Sequence, residues 1–259
     1  MKSFRFFKFT IFFLLPLFLA ACFFGEKGNT TVERYAKATD LLEAEVYPDH
    51  RRTFYCDCAF SKSKRVRCKT GSGERAKRVE WEHIVPASRF GHTFEEWESS
   101  QSWQCRLPKW LQAIPGLKCK KRSGRQNARR ESREYRYMEA DLFNLVPAVG
   151  LINQRRSNHA YGMIPGERRE FGRCDFEVTS EAAEPTDSVR GDIARTVRYM
   201  AWAYEGRVDL SRPEAELMKS WDAADPVDQW ECERGRRIAA IQGNDNPFVE
   251  EPCRNRGLW

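Results

Sequence analysis

Arg78-Val-Glu-Trp-Glu-His-Ile-Val-Pro-Ala-Ser-Arg-Phe-Gly91 is the stretch on which the fold and the chemistry of this chain turn. Residues 76–85 alternate well enough to predict a strand, and Pro86 closes it because proline cannot donate to a ladder. The strand sets Glu82 directly against His83 in a chain with only four histidines. A carboxylate beside an imidazole supplies a hard-cation ligand and a general base, the two groups a metal-assisted hydrolysis needs. Val79, Trp81, Ile84 and Val85 surround the pair with apolar bulk. Neighbouring residues of a regular strand point to opposite faces, so a single site served by both predicts a bend or an end at the pair.

Outward from this stretch, 259 residues with 41% hydrophobic and 31% charged side chains can bury one sizeable core. The formal net charge of +7 points to an acidic partner: nucleic acid, anionic lipid or an acidic glycan. At the N-terminus Lys2, Arg5 and Lys8 precede an apolar run from Phe9 to Ala21. That run is short for a membrane span of roughly 20 residues and right for a signal-peptide core. Residues 1–21 are therefore expected to be removed on export. The run ends Leu19-Ala20-Ala21-Cys22, similar to a bacterial lipobox in which Cys22 is lipidated; the alternative is an ordinary cleaved signal with an incidental cysteine. Residues 22–29 then form a tether.

Removing Cys22 from the nine cysteines leaves eight, at 56, 58, 68, 105, 119, 174, 232 and 253. An even number in an exported chain predicts up to four disulfides, with the pairing left open. Cys56-Asp-Cys58 has no second paired motif to complete a zinc set.

Between these landmarks, residues 30–46 read as an amphipathic helix with Thr30 or Thr31 as N-cap, and 51–73 as short strands and a turn pinned by disulfides. A helix is expected over 93–104, a cationic loop over 105–131, and two short helical pieces around Pro147 within 132–158. Three further helices fall at 188–205, 212–222 (after Ser211, with Pro213 in the first turn) and 226–242, the last stopped by Gly243. No repeat or low-complexity stretch divides the chain, and a single, helix-rich α+β domain over 30–259 is the expectation.

Hydrolysing a phosphodiester takes a base for water, a cation against the growing charge and further positive charge on the phosphate. His83 can be the base, since an unperturbed imidazole titrates near neutrality. Glu82 can hold Mg²⁺, which needs oxygen ligands and keeps several waters. A second oxygen ligand is sought in Asn144, a polar amide among apolar neighbours. Arg125, in Ser123-Gly-Arg-Gln-Asn127, can clamp the phosphate. The run Lys118, Lys120, Lys121, Arg122, Arg125, Arg129, Arg130, Arg133 and Arg136 flanks that segment and suits backbone phosphates, against the plainer role of a solvated face. His50, His92 and His159 have no partner motif and are expected at the surface or in packing.

Several blocks in one order carry a resemblance: Trp81-Glu-His-Ile-Val-Pro-Ala-Ser-Arg-Phe-Gly91, Gly124-Arg-Gln-Asn127, Met138-Glu-Ala-Asp-Leu-Phe-Asn-Leu-Val-Pro-Ala-Val-Gly150, Asn153 and Arg156-Ser-Asn158. Together they closely resemble the endonuclease I family, bacterial periplasmic or secreted nucleases with a ββα-metal active site. The resemblance runs from about residue 30 to the C-terminus. It implies His83 as general base, Glu82 and Asn144 as Mg²⁺ ligands (Mn²⁺ or Ca²⁺ being conceivable substitutes) and Arg125 as phosphate-stabilising arginine. Lys121, Arg129 and Arg156 are the further candidates for contact with nucleic acid. The implied reaction cuts DNA, and often RNA, with little sequence preference, leaving a 5′-phosphate and a 3′-hydroxyl. Phe143 departs from the family, where many relatives carry histidine, and so does Ala128, where they commonly carry cysteine. Two other functions remain: a nucleic-acid-binding envelope lipoprotein that does not cut, and a disulfide-stapled structural protein. No obligate protein partner is indicated, and a membrane enters only through a lipid on Cys22.

Overall fold

The computed structural model describes residues 27–98, 103–119, 122–166 and 168–259. The signal segment, Cys22 and Lys121 lie outside them. In chain order the elements are α1 (Tyr35–Leu41), β1 (Val79–His83), α2 (Ala87–Gly91), α3 (Glu95–Glu98), α4 (Lys109–Gln112), α5 (Gly124–Glu131) and α6 (Arg133–Glu139). They continue as β2 (Leu145–Val149), α7 (Gly150–Arg156), β3 (Ala160–Tyr161), β4 (Phe176–Val178), β5 (Ala182–Pro185), α8 (Arg190–Ala203), α9 (Arg212–Ala224), α10 (Gln229–Gln242) and α11 (Pro247–Asn255). The class is α+β and helix-rich, as expected.

The centre is an antiparallel pair, β1 with β2, running from Val79 opposite Val149 to His83 opposite Leu145. Every residue of β2 is buried, which explains its unbroken apolar sequence. The two helical pieces expected around Pro147 are α6 and α7, and the strand between them is what the sequence did not show. Pro147 sits opposite Trp81, and its carbonyl turns away from β1 to accept from Phe54 N at 2.7 Å. Its missing N–H is on that same outer edge, so the ladder loses nothing. The turn entering β2 is clamped from outside. Buried Arg234 donates to Tyr47 Oη and to the carbonyls of Leu142, Phe143 and Leu145. Fully buried Asp141 accepts from Tyr199, Tyr204, Gln242 and the amide of Phe143.

α7 follows β2 directly and packs back on both strands. Gly150 permits that approach: a Cβ there would lie 2.8 Å from Arg75 O and 2.9 Å from the Glu80 carboxylate. A second small sheet, ordered β3-β5-β4, lies further along the chain.

Three N-terminal expectations change. The first helix starts at Tyr35, not near Thr30: Asn29 Oδ1 takes the amides of Thr31 and Val32 in a local turn, and Arg34 is still extended. It then widens into a π-turn over Leu42–Val46, which sends both residues into the core. The span 93–104 holds α3 and a 3₁₀ turn at Trp103–Arg106, with 99–102 outside the described residues. The expected loop 105–131 contains α4 and α5. α5 shows almost no apolar periodicity, but Ser123 and Gln126 form a reciprocal capping box that starts it.

The C-terminal helices lie where expected, with Ser211 and Asp228 as N-caps and Gly243 left-handed at φ 81°. α11 was not foreseen, since Pro252 lies inside it. All eight cysteines outside the N-terminal segment pair, as 56–174, 58–68, 105–119 and 232–253.

Candidate active site

A cleft of about 750 Å³ lies beside β1 and is lined by Glu80, Trp81, Glu82, His83, Tyr35, Arg125 and, from α7, Asn153 and Arg156. Glu82 and His83 are 4% and 7% exposed. The pair stands where the strand ends, one of the two outcomes expected: β1 stops at His83, with both residues still paired in the ladder. Their partners lie on different walls, as pleating requires: Glu82 meets Arg156 of α7, whereas His83 meets Glu139 at the end of α6. Both residues nonetheless line the same cleft.

The chain leaves the ladder at Ile84, and that exit is held tightly. Arg156 donates to the carbonyls of His83 (2.9 Å) and Ile84. Asn144 accepts from Val85 N at 2.7 Å and donates to Val85 O at 3.0 Å. Two assignments are thereby corrected. Asn144 is 0% exposed, absent from the cleft lining, and has both ends of its amide committed to backbone. Arg156, expected on nucleic acid, is 1% exposed and spends its guanidinium on backbone carbonyls and Glu82.

Asn153 does line the cleft, as does Asn158; it is half-buried on α7, one turn before Arg156, with Nδ2 3.4 Å from Glu80 Oε2. It stands in the matched blocks of sequence, but only the folding of α7 against the strand pair shows its direction.

His83 is held in a form that can accept a proton. Its Nε2 lies 2.9 Å from the Glu139 carbonyl, which can only accept, so Nε2 carries the hydrogen and Nδ1 keeps the lone pair. The ring stacks on Tyr35 at 5.4 Å between centroids and 19° between planes. Burial, and then the Arg125 charge, hold its pKa down at about 4, so the imidazole is neutral at physiological pH. The Glu139 side chain organises the cations above it, binding Arg125 Nε and Arg129 Nε. Burial raises the Glu139 pKa, but the Arg129 hydrogen bond and the Arg125 charge outweigh it and leave the carboxyl below its ordinary value. Both arginines also lie over the Tyr35 ring, at 5.8 and 5.5 Å. Arg125 lines the cleft and is 39% exposed, whereas Arg129 lines a neighbouring groove with Arg34, Lys37, Arg130 and Arg136.

Glu82 is the unusual carboxylate. Burial pushes its pKa up to about 7 against the pull of Arg156. Its Oε1 is 3.2 Å from Arg156 Nη1, yet this buried oxygen has no donor in hydrogen-bonding geometry. Such an orphan oxygen, in a cleft that Asn153 also lines, fits a hard cation. Among the described residues no three His, Cys, Asp or Glu cluster as a metal cage. Mg²⁺ does not ask for one, since it binds through one or two carboxylates and retains water. The remaining histidines are in packing or at the surface: His50 stacks on Trp230, and His92 pairs with Glu98.

An antiparallel strand pair with a neutral histidine at the end of its first strand, backed by the helix that follows its second, has the ββα arrangement. The chain belongs to the endonuclease I family, whose description matches residues 29–253, and it is a nuclease. It is 34% identical over 252 residues to an extracellular deoxyribonuclease of Aeromonas hydrophila, covering 93% of this chain and 98% of the relative. It is 36% identical to a periplasmic deoxyribonuclease of the same organism over 226 residues, covering 83% and 84%. An Endonuclease-1 of Buchnera aphidicola subsp. Acyrthosiphon pisum is 33% identical over 234 residues, covering 86% and 83%.

Proposed function

We propose that this chain is an exported, Mg²⁺-dependent endonuclease that hydrolyses DNA with little sequence preference, leaving 5′-phosphate and 3′-hydroxyl ends. The observation that carries this is the neutral, tautomer-pinned His83 beside a buried Glu82 oxygen that lacks a donor, both under Arg125. Nδ1 of His83 takes a proton from water as the water oxygen bonds to phosphorus and the P–O3′ bond breaks. The departing 3′ oxygen is protonated from solvent. Arg125, anchored through Nε to Glu139, holds the phosphate in line. Glu82 and Asn153 are the residues that would hold Mg²⁺, which offsets negative charge on the phosphate and the leaving oxygen. This donor set replaces the pairing of Glu82 with Asn144.

Every group named acts on phosphate or water, so RNA is a second substrate of the same chemistry. Pairing of all eight other cysteines leaves Cys22 as the unmatched one, which supports its lipidation and anchoring of the exported chain.

The test is supercoiled plasmid incubated with purified mature protein and Mg²⁺, with EDTA, and with the His83→Ala variant. Nicking and degradation should occur with Mg²⁺ alone, and the variant should lose about 10²- to 10⁴-fold in rate. DNA retention without cleavage would leave a binding lipoprotein, and neither activity a structural protein.

A further inference from the structure

The segment between Cys105 and Cys119 stands apart from the machinery described above. It is closed by their disulfide and built on itself, with Gln112 Nε2 donating to Leu107 O at 2.7 Å and Leu117 N to Ile114 O at 3.0 Å. This small, preformed platform shows its largest apolar side chain to solvent, Trp110 at 71% exposure, with Ile114 at 44%. Its charged residues are Arg106, Lys109 and Lys118, all exposed, and it contains no aspartate or glutamate. Its place matters equally. The chain leaves for this excursion just after Trp97 and returns at Gly124, and a Cβ on Gly124 would lie 2.6 Å from Trp97 O. Trp97 and Arg125 both line the catalytic cleft, so along the chain the platform is inserted between two residues of that cleft.

We propose that the Cys105–Cys119 loop is an accessory arm for single-stranded nucleic acid, with Trp110 stacking on an unpaired base and Lys109 and Lys118 meeting the adjacent phosphates. An exposed indole in a loop whose charged residues are all cations matches a polyanion with π faces, and stacking on it needs no particular base. Duplex bases are already stacked on each other and offer the indole no free face. The arm thus favours single-stranded or frayed stretches entering the cleft. This inference rests on the nuclease function proposed above.

The test measures binding in the full chain carrying His83→Ala, which blocks cleavage, with a short oligothymidylate and a duplex as probes. Adding Trp110→Ala should weaken single-strand binding about tenfold and leave duplex binding within about twofold, and Trp110→Phe should restore most of the loss. Lys109→Gln with Lys118→Gln should flatten the log–log salt dependence of single-strand binding by about 1.4, two phosphate contacts fewer. In the cleavage-competent chain Trp110→Ala should raise KM on single strands and leave kcat unchanged. Unaltered single-strand affinity in Trp110→Ala would overturn the proposal. So would Trp110-dependent capture by phosphatidylglycerol vesicles with no effect on DNA, which would assign the arm to a lipid surface. Because binding is read without cleavage, an inactive wild type would overturn the proposed function alone, and the arm would still stand or fall on the affinities.

Discussion

Replacing Asn144 and Asn153 separately should divide fold from chemistry. Asn144 is fully buried and bonds Val85 N at 2.7 Å and Val85 O at 3.0 Å. Asn144→Ala leaves that donor and that acceptor buried without partners, at about 1–3 kcal/mol each, so a loss near 3 kcal/mol is expected. For a chain of this size that lowers Tm by about 6–12 °C. Asn144→Asp should be little better, since a carboxylate oxygen would then face the Val85 carbonyl. Asn153 is half-buried, and its one contact, at 3.4 Å to Glu80, is long. Asn153→Ala should cost under about 1 kcal/mol of stability but weaken Mg²⁺ binding at least tenfold, and Asn153→Asp should retain it. Thermal unfolding without metal and calorimetric titration with Mg²⁺ measure both quantities on the same variants. A stable Asn144→Ala protein that has lost Mg²⁺, beside an Asn153→Ala protein that binds it normally, would refute the assignment made from the geometry.

Three other outcomes are expected. Glu82, with its pKa raised to about 7, keeps a proton that a cation must displace, so apparent Mg²⁺ affinity should fall about tenfold per pH unit below 7. The stability this group contributes is present below its ordinary value of 4.5 and lost as pH rises through 7, so Mg²⁺ should stabilise the fold more at pH 8 than at pH 6. An acid limb of kcat/KM that fails to move to lower pH as Mg²⁺ is raised would contradict this; His83, near 4, is neutral throughout that range. Arg125→Lys keeps the charge but cannot both bind Glu139 and fork onto phosphate, and steady-state kinetics should show kcat/KM lower by about 10- to 100-fold. Denaturant titration should find that serines at Cys56 and Cys174, 118 residues apart, cost about 5 kcal/mol, against about 3 for Cys105 and Cys119, 14 apart.

His83 and Glu82 could be read from the sequence because their chemistry is local: an imidazole and a carboxylate adjacent in a strand that must stop at Pro86. The C-terminal helices α8, α9 and α10 were legible for a similar reason, with caps and periodicity inside the segments themselves. α5 was hidden by its composition, since a helix with Asn127 and Ala128 as its buried residues shows no apolar stripe. β2 was hidden by Pro147, which a strand accepts only where the missing donor faces outward, and that depends on the register with β1.

The sequence by itself determined the class of the protein, the adjacency of Glu82 and His83 and the number of cysteines left to pair, all properties of residue type and order. Tertiary structure decided which of Asn144 and Asn153 lines the cleft, since that depends on how α7 lies against the strand pair. It also decided that Arg156 serves the backbone rather than substrate, because burial consumes its donors. The shifts of His83 down to about 4 and Glu82 up to about 7 belong to it as well, for both are driven first by burial, which exists only once the chain has folded.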